Sequence, residues 1–132
     1  MADFVALYND QGTPAVAKPT PASGIGYVTG EGGVVTQLTS KATAVTLNKP
    51  CGQITLSALS LAAGTIVSFT LTNSAIAATD KPEVCQKSGT DLYEIHVTAV
   101  AAGSCQITFR TTGGTTTEQP VFDFAVIKGV AA

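Results

Sequence analysis

Charged residues are scarce in this chain of 132 residues, at 12 % of the total, against roughly 25 % in an average domain. The seven basic residues are scattered and the net charge is −2, so the concentrated basic face that nucleic-acid binding requires is missing. No apolar run approaches the ~18 residues of a membrane-spanning helix. We therefore expect neither a nucleic acid nor a membrane as a partner. Such a weakly charged surface instead favours self-association or attachment to a larger assembly.

Residues that catalyse reactions or bind metals are also few. The one histidine, His96, lies two residues after Glu94 on the polar side of a strand-like segment, and we interpret it as a solvent-facing residue rather than half of a metal-binding or partner-binding pair. Tryptophan is absent, and the nine acidic residues form no recognisable pair for glycoside hydrolysis. We predict no catalytic residue, no metal, no cofactor and no enzymatic activity.

The three cysteines, Cys51, Cys85 and Cys105, include no CxxC pair. An odd, widely spaced set predicts neither a disulfide framework nor a zinc site. Cys105 lies on the apolar side of an alternating segment and is expected to be a small buried hydrophobe. Cys51 and Cys85 are expected in loops, and Cys51 has no neighbouring histidine or basic cluster that would lower its pKa and make it a nucleophile.

Proline is concentrated near the N-terminus, and residues 1–24 differ from the rest of the chain. Each proline removes a backbone donor and favours extended geometry before it, so this segment is predicted to be an extended arm. A free terminus is the alternative, but the apolar tip FVALY favours contact with a neighbour. The residues expected to contact that neighbour are Phe4, Val5, Leu7, Tyr8, Pro14, Pro19 and Pro21. The start has Asp3 and no basic region before an apolar core, so no secretory signal is predicted and synthesis is expected in a cytoplasm.

From residue 25 onward, apolar and polar side chains alternate, which is typical of half-buried strands. The alternation predicts these inward-facing residues: Val67, Phe69 and Leu71; Tyr93, Ile95, Val97 and Ala99; Cys105, Ile107 and Phe109. LAAGT and VAAGS each suit a hairpin loop with a left-handed glycine. The predicted hairpins are 53–61 with 65–73 and 92–100 with 104–112. Further strands are predicted at 33–39, 43–48 and 120–128, the last one central or covered by a partner. SAIAATDKPEVCQKSGT, between the hairpins, is predicted as a loop, with or without one helical turn.

These segments predict an all-β fold, either an antiparallel β-sandwich or a jelly-roll-like barrel. The domain would span residues 25–132, after the extended N-terminal arm of residues 1–24. The glycine-rich stretch GYVTGEGGVV at residues 26–35 lies where arm and domain meet. It lacks the GxxxxGK[ST] pattern of a phosphate-binding loop, and β-branched residues follow it. We interpret Gly30, Gly32 and Gly33 as a turn and hinge between arm and domain.

Three blocks of the sequence resemble a family of small structural proteins from tailed-phage virions, of the head-fibre or capsid-decoration type. The blocks are residues 26–80, VTAVAAGSCQITFRTT at 97–112 and FAVIKGVAA at 124–132. The most specific part of the first block is GVVTQLTSKATAVTLNKPCGQIT at 33–55. The likeness extends over residues 26 to about 80 and 97 to 132, and leaves out the arm and the 81–92 segment.

The resemblance implies a β-rich, non-enzymatic virion component displayed on the outside of the head. The expected function is that of a decoration or cement protein, which binds and stabilises the outer surface of the major capsid lattice. The expected partners are the major capsid protein and further copies of the chain, in a homotrimer or a dimer. The arm of residues 1–24 is expected to face the capsid, and its expected capsid contacts are Phe4, Val5, Leu7, Tyr8, Pro14, Pro19 and Pro21. The alternative is a module of a head fibre or tail that recognises a glycan or protein on the host surface.

Overall fold

A computed structural model of the chain describes residues 26–131. These residues form eight strands and no helix. The strands are β1 (Gly32–Thr36), β2 (Val45–Thr46), β3 (Cys51–Thr55), β4 (Val67–Thr72), β5 (Lys81–Ser88), β6 (Tyr93–Ala101), β7 (Ser104–Thr111) and β8 (Val121–Ile127). The predicted arm, residues 1–24, lies outside the described residues.

The eight strands form two four-stranded sheets that pack together as a β-sandwich. Sheet 1 has the order β1-β3-β8-β5 and sheet 2 the order β2-β4-β7-β6. Every connection passes from one sheet to the other except the one between β6 and β7. Because successive strands also reverse direction, β1 runs parallel to β3 and β2 runs parallel to β4. The expectation of an all-antiparallel sandwich is therefore wrong for these two pairs, while the all-β class and the sandwich are confirmed.

The core lies between the two sheets and is built around four aromatic rings. Phe109 packs against Phe69, Tyr93 and Phe122, with ring centroids 6.1, 6.2 and 5.3 Å away. Most of these contacts are edge-to-face, an arrangement that aromatic pairs prefer. Ile54, Leu56, Leu71 and Ile107 surround the rings and are completely buried. The alternation of apolar residues thus buries one face of each sheet.

The predicted inward-facing residues lie in the interior with one exception. Ala99 is exposed, because a bulge between Val97 and Ala99 shifts the pairing of β6 with β7. Beyond that bulge Val100, rather than Ala99, lies opposite the buried Cys105. A bulge inserts one residue and so reverses the alternation after it.

Only one of the two predicted hairpins forms. β6 and β7 pair as expected, through a turn in which Gly103 has a φ of 82°. The hairpin of 53–61 with 65–73 is wrong, because β3 belongs to sheet 1 and β4 to sheet 2. The chain between them crosses the end of the sandwich, where Leu61 forms a bridge with Thr116. Gly64 adopts a left-handed conformation as predicted. The turn that it forms belongs to the connection between the two sheets and not to a hairpin.

The segment predicted as a loop between the hairpins contains β5, which forms an edge of sheet 1. A proline inside the segment obscured the strand in the sequence. Val126 of β8 is the partner of Pro82 in the pairing of β8 with β5. Its N–H points away from β5 and donates to the carbonyl oxygen of Pro50, which directly precedes β3. The backbone groups of Pro82 therefore face the open edge, where a missing N–H costs no hydrogen bond. The predicted strand at 120–128 is confirmed as β8, which lies between β3 and β5.

Candidate interaction surfaces

The first candidate surface lies along β1, and we call it the β1 edge surface. It consists of the unpaired side of β1 and the adjoining outer face of sheet 1. Among the described residues β1 pairs with β3 alone. Gln37 follows β1 directly, and its N–H donates to the carbonyl oxygen of Thr55, the last residue of β3. Because backbone groups alternate in direction along a strand, the N–H and C=O groups of Gly32, Val34 and Thr36 face the open edge.

A hollow of about 670 Å³ lies on the outer face beside this edge. Small residues from three adjacent strands form its floor, since Gly32, Cys51 and Ala125 follow one another in register. On the opposite, inner face, β1 and β3 approach closely at Gly33 and Gly52. A Cβ added at Gly52 would lie 2.5 Å from the Gly33 carbonyl oxygen and 2.8 Å from Leu47. Gly52 is thus required for the close approach of β3 to β1, and a Cβ added at Gly33 would lie 2.8 Å from the end of the Leu47 side chain.

The three other sheet edges carry features that discourage pairing with another strand. β5 has Lys81, Pro82 and Lys87 and a register shift near its end. β6 has Glu94, His96 and the bulge described above, and β2 is only two residues long. β1, with the sequence GGVVT, has no charge, proline or bulge. Its Val34 side chain is 75 % exposed. Of the four edges in residues 26–131, β1 is therefore the one suited to accept another strand.

Tyr27 fixes the chain just before β1 to the body of the sandwich. Pro50 accepts a hydrogen bond from the Val126 N–H but has no N–H to return to the Val126 carbonyl. The Tyr27 hydroxyl donates to that carbonyl instead. The described part of the chain therefore begins next to the start of β3 and the end of β8, close to the β1 edge surface.

The structure places the predicted hinge glycines in two settings. Gly30 has a φ of 98° in a turn closed by the Glu31 N–H and the Val28 carbonyl. Gly32 and Gly33 are part of β1 and lie opposite Cys51 and Gly52. The predicted arm contacts, Phe4, Val5, Leu7, Tyr8, Pro14, Pro19 and Pro21, lie outside the described residues. Neither the hinge nor the arm contacts are tested by these positions, and both stay predictions.

The second candidate surface is one end of the sandwich, which we call the loop end; it comprises the loops 37–43, 56–61, 89–92 and 113–119. A buried lysine, Lys41, holds three of these loops together. Its ammonium group, in a residue only 4 % exposed, donates to the carbonyl oxygens of Ser57, Leu59 and Glu118. Burial lowers the pKa of Lys41, and the nearby Glu118 carboxylate opposes that shift. Sequence reasoning missed this residue, because a lone lysine in a polar segment gives no sign of burial.

The Glu118 carboxylate joins the fourth loop to the others. It accepts hydrogen bonds from the backbone and hydroxyl of Thr90, from the Asp91 N–H and from the Tyr93 hydroxyl, at 2.7 to 3.1 Å. Burial raises the pKa of Glu118, but these donors outweigh it and hold the pKa at about 2. Burial and the Glu118 carboxylate in turn raise the pKa of Tyr93, which keeps its phenol protonated as a donor.

Two exposed leucines lie on the surface of this rigid loop end. Leu38 is 87 % and Leu59 is 56 % exposed. They flank a cleft of about 480 Å³ that also involves Ala58 and Gln119. The cleft is small and apolar at its rim, and the Lys41 hydrogen bonds fix the backbone beneath it.

We expect the stability of the protein to fall as the pH is lowered from about 4.5 to 2. Glu118 and Asp80 both have a pKa of about 2, below their ordinary values of 4.5 and 3.8. Lys128 and the backbone N–H groups of Ala77 and Gly129 lower the pKa of Asp80. Because the carboxylate form of each is favoured in the folded state, the stabilisation is complete above the unfolded pKa and is lost as the pH falls through the folded pKa.

Thermal unfolding between pH 7 and pH 2 measures this effect. Glu118→Gln and Asp80→Asn should each lower the Tm at pH 7 and leave a much smaller difference from the parent near pH 2. Glu31→Gln, a change at an exposed residue, is the control. A constant difference at every pH would contradict the assignment of the two carboxylates as stabilising groups.

The cysteines and His96, which were considered as candidate site residues, do not come together in one site. Cys105 is buried as predicted, and burial raises its pKa to about 11. The prediction of loops for Cys51 and Cys85 is wrong, because they lie in β3 and β5; all three cysteines are free thiols. His96 is exposed on β6, as expected. Within residues 26–131 no group of three or more His, Cys, Asp or Glu side chains is placed to hold a metal ion.

Residues 26–131 thus define a β-sandwich with one open, uncharged edge and one rigid loop end. No helix in this part of the chain is long and apolar enough to cross a membrane. Comparisons of the chain with protein-family models, with curated proteins and with solved structures found no match.

Proposed function

We propose that this chain is a structural protein of a tailed-phage virion, a decoration or cement protein that binds the outer surface of the major capsid lattice. Copies made in the host cytoplasm would attach to the assembled head. Their partners would be the major capsid protein and one another, in a homotrimer or a dimer. The proposal assigns the protein no enzymatic activity and no cofactor.

One structural observation carries this proposal: the uncharged open edge strand β1 begins at Gly32, separated by seven residues from the predicted arm of residues 1–24. An edge strand binds another protein through its backbone groups, and the β1 edge surface combines such groups with an adjoining hollow. The sequence blocks that resemble virion proteins, residues 26–80, 97–112 and 124–132, include β1, its neighbour β3 and the last four residues of β8. Residues 1–24 would extend from this surface over the capsid.

A decoration protein of this kind would stabilise the head additively. Each interface of standard size, about 1,600 Å², would link adjacent capsid subunits and oppose the internal pressure of the DNA. Removing the protein should therefore lower the temperature at which heads release their DNA.

The test compares heads with and without the bound protein. Heads stripped of this protein should release DNA at a lower temperature, and adding back the full-length chain should restore release to the original temperature. Adding back a variant without residues 1–24 should fail to do so. Unchanged release from stripped heads would contradict the proposal, and antibody labelling viewed by electron microscopy would place the protein on head, collar or tail.

The loop end favours a second candidate function, recognition of a glycan or protein on the host surface. Leu38 and Leu59 are exposed around a cleft whose backbone is fixed by Lys41, and a rigid apolar cleft lowers the entropic cost of binding. Binding of the purified chain to host cells, abolished by Leu38→Asp together with Leu59→Asp, would support this function. Unchanged binding by that variant would exclude the cleft as the recognition site.

A further inference from the structure

We propose that the β1 edge surface binds the apolar segment Phe4–Tyr8 of a second copy of this chain. The inference rests on the self-association included in the proposed function and adds the two surfaces that meet. The tip of the arm would link neighbouring copies, and residues 9–24 would run between them over the capsid.

The backbone of β1 provides the first argument. Gly32, Val34 and Thr36 direct unpaired N–H and C=O groups outward, and an extended segment placed alongside would pair with them. FVALY has five residues, as does β1. Neither segment contains a charge or a proline, so no charged side chain would be desolvated by the pairing and no backbone donor would be missing within it.

The outer face beside β1 provides the second argument. Side chains of an extended segment alternate between its two faces, and both sets in FVALY are apolar apart from the hydroxyl of Tyr8. In either register, apolar side chains would therefore lie on the outer face of sheet 1. There they would cover Val34, which is 75 % exposed, and approach the hollow above Gly32, Cys51 and Ala125.

The length of the intervening chain indicates that the segment comes from another copy. Residues 9–25, 17 in all, separate the tip from the described body. With three prolines, Pro14, Pro19 and Pro21, this stretch favours extended geometry and would span about 50 Å at about 3.1 Å per residue. That exceeds the length of the longest strand, the nine-residue β6, at about 30 Å. Since Tyr27 fixes the start of the body next to β1, an extended arm carries its tip away from its own edge.

Sedimentation of the full-length chain tests the inference with substitutions on both sides of the contact. Val34→Lys places a charge on the open edge, and Leu7→Glu places one in the tip without altering the sandwich. Each should weaken self-association by about tenfold or more, because either charge would be desolvated without a partner. Thr70→Lys, at an exposed position on the outer face of sheet 2, is the matched control and should keep the parent mass.

The opposite results would overturn the inference. A parent chain that is monomeric at all concentrations, or an oligomer that survives both Val34→Lys and Leu7→Glu, would exclude this contact. Circular dichroism of each variant shows whether a smaller oligomer in sedimentation results from unfolding. If Val34→Lys fails to fold, Leu7→Glu still tests the contact. The capsid experiment above is independent of this test. If the Leu7→Glu variant still stabilises heads but no longer self-associates, the proposed decoration function stands, but binding of the arm tip to another copy is not needed for it.

Disulfide trapping identifies which copy donates the segment. In a chain carrying Cys51→Ser and Cys85→Ser, one version receives Ala6→Cys and another, enlarged by a tag, receives Val34→Cys. After mixing and mild oxidation, we expect a disulfide between the two versions, which gel electrophoresis separates by size. The absence of any such disulfide would overturn the inference. So would a disulfide formed only within a single chain when both substitutions are combined.

Discussion

Lys41→Met is expected to lower the free energy of unfolding by about 3 kcal/mol. Methionine keeps the length and apolar stem of the side chain but removes the ammonium group that joins the carbonyls of Ser57, Leu59 and Glu118. A buried polar group left without a partner costs about 1–3 kcal/mol. Three carbonyls lose their donor in the variant, so the summed cost could be larger. Part of that cost is offset, because the variant no longer has to desolvate an ammonium group on folding.

Urea denaturation measures this loss, and Lys81→Met is the control because Lys81 is exposed on β5. The control should change the stability by less than about 0.5 kcal/mol. Hydrogen exchange should also show faster exchange in the loop end of Lys41→Met than in the opposite end of the sandwich. A variant as stable as the parent would mean that the three carbonyls find other donors, and that Lys41 does not hold the loops.

Phe122→Ala is expected to have a larger effect than Lys41→Met and to lower the free energy of unfolding by about 4 kcal/mol. Phe122 is completely buried, and its ring lies 5.3 Å from that of Phe109 and 5.8 Å from that of Tyr93. These contacts join β8 of sheet 1 to β6 and β7 of sheet 2. The substitution opens a cavity where the two sheets meet and removes the edge-to-face contacts.

Phe122→Leu is the matched variant, since it keeps most of the apolar volume and should cost much less, about 1.5 kcal/mol. Domains of this size are stable by only about 5–15 kcal/mol, so Phe122→Ala should also lower the Tm by many degrees. A loss below about 1 kcal/mol for Phe122→Ala would show that the sheets pack by other contacts.

Local alternation predicted the strands of sheet 2 well but not the pairing of the sheets. β4, β7 and the part of β6 before its bulge follow a clear period of two, because one face is buried against the other sheet and the other is polar. The wrong hairpin had a detectable signal: Ile54 and Leu56 fall on even positions, whereas Leu59 and Leu61 fall on odd ones. A strand cannot change phase without a bulge or a break, and the crossing connection begins there.

β5 and the candidate surfaces were harder to predict for physical reasons. Pro82 argues against a strand, and only its position on an edge makes it compatible with one. The burial of Lys41 depends on carbonyls from two other loops, 56–61 and 113–119, which are far from it in the sequence. The openness of β1 depends on which strands pair with it, and alternation within β1 carries no information about that. The sequence did indicate the uncharged character of GGVVT and its position near the junction of the arm and the domain.

Within residues 26–131, β1 is the one sheet edge without a charge, proline, bulge or very short strand, and this limits how copies of the protein can join. Under the exchange proposed above, each copy has one donor, the tip, and one acceptor, β1. A unit with one donor and one acceptor cannot branch; it can only close into a ring or continue as a linear chain. If the rotation between neighbours closes after three copies, every tip and every edge is satisfied and growth stops. The protection of the other three sheet edges would then set the valence of the assembly as well as prevent aggregation.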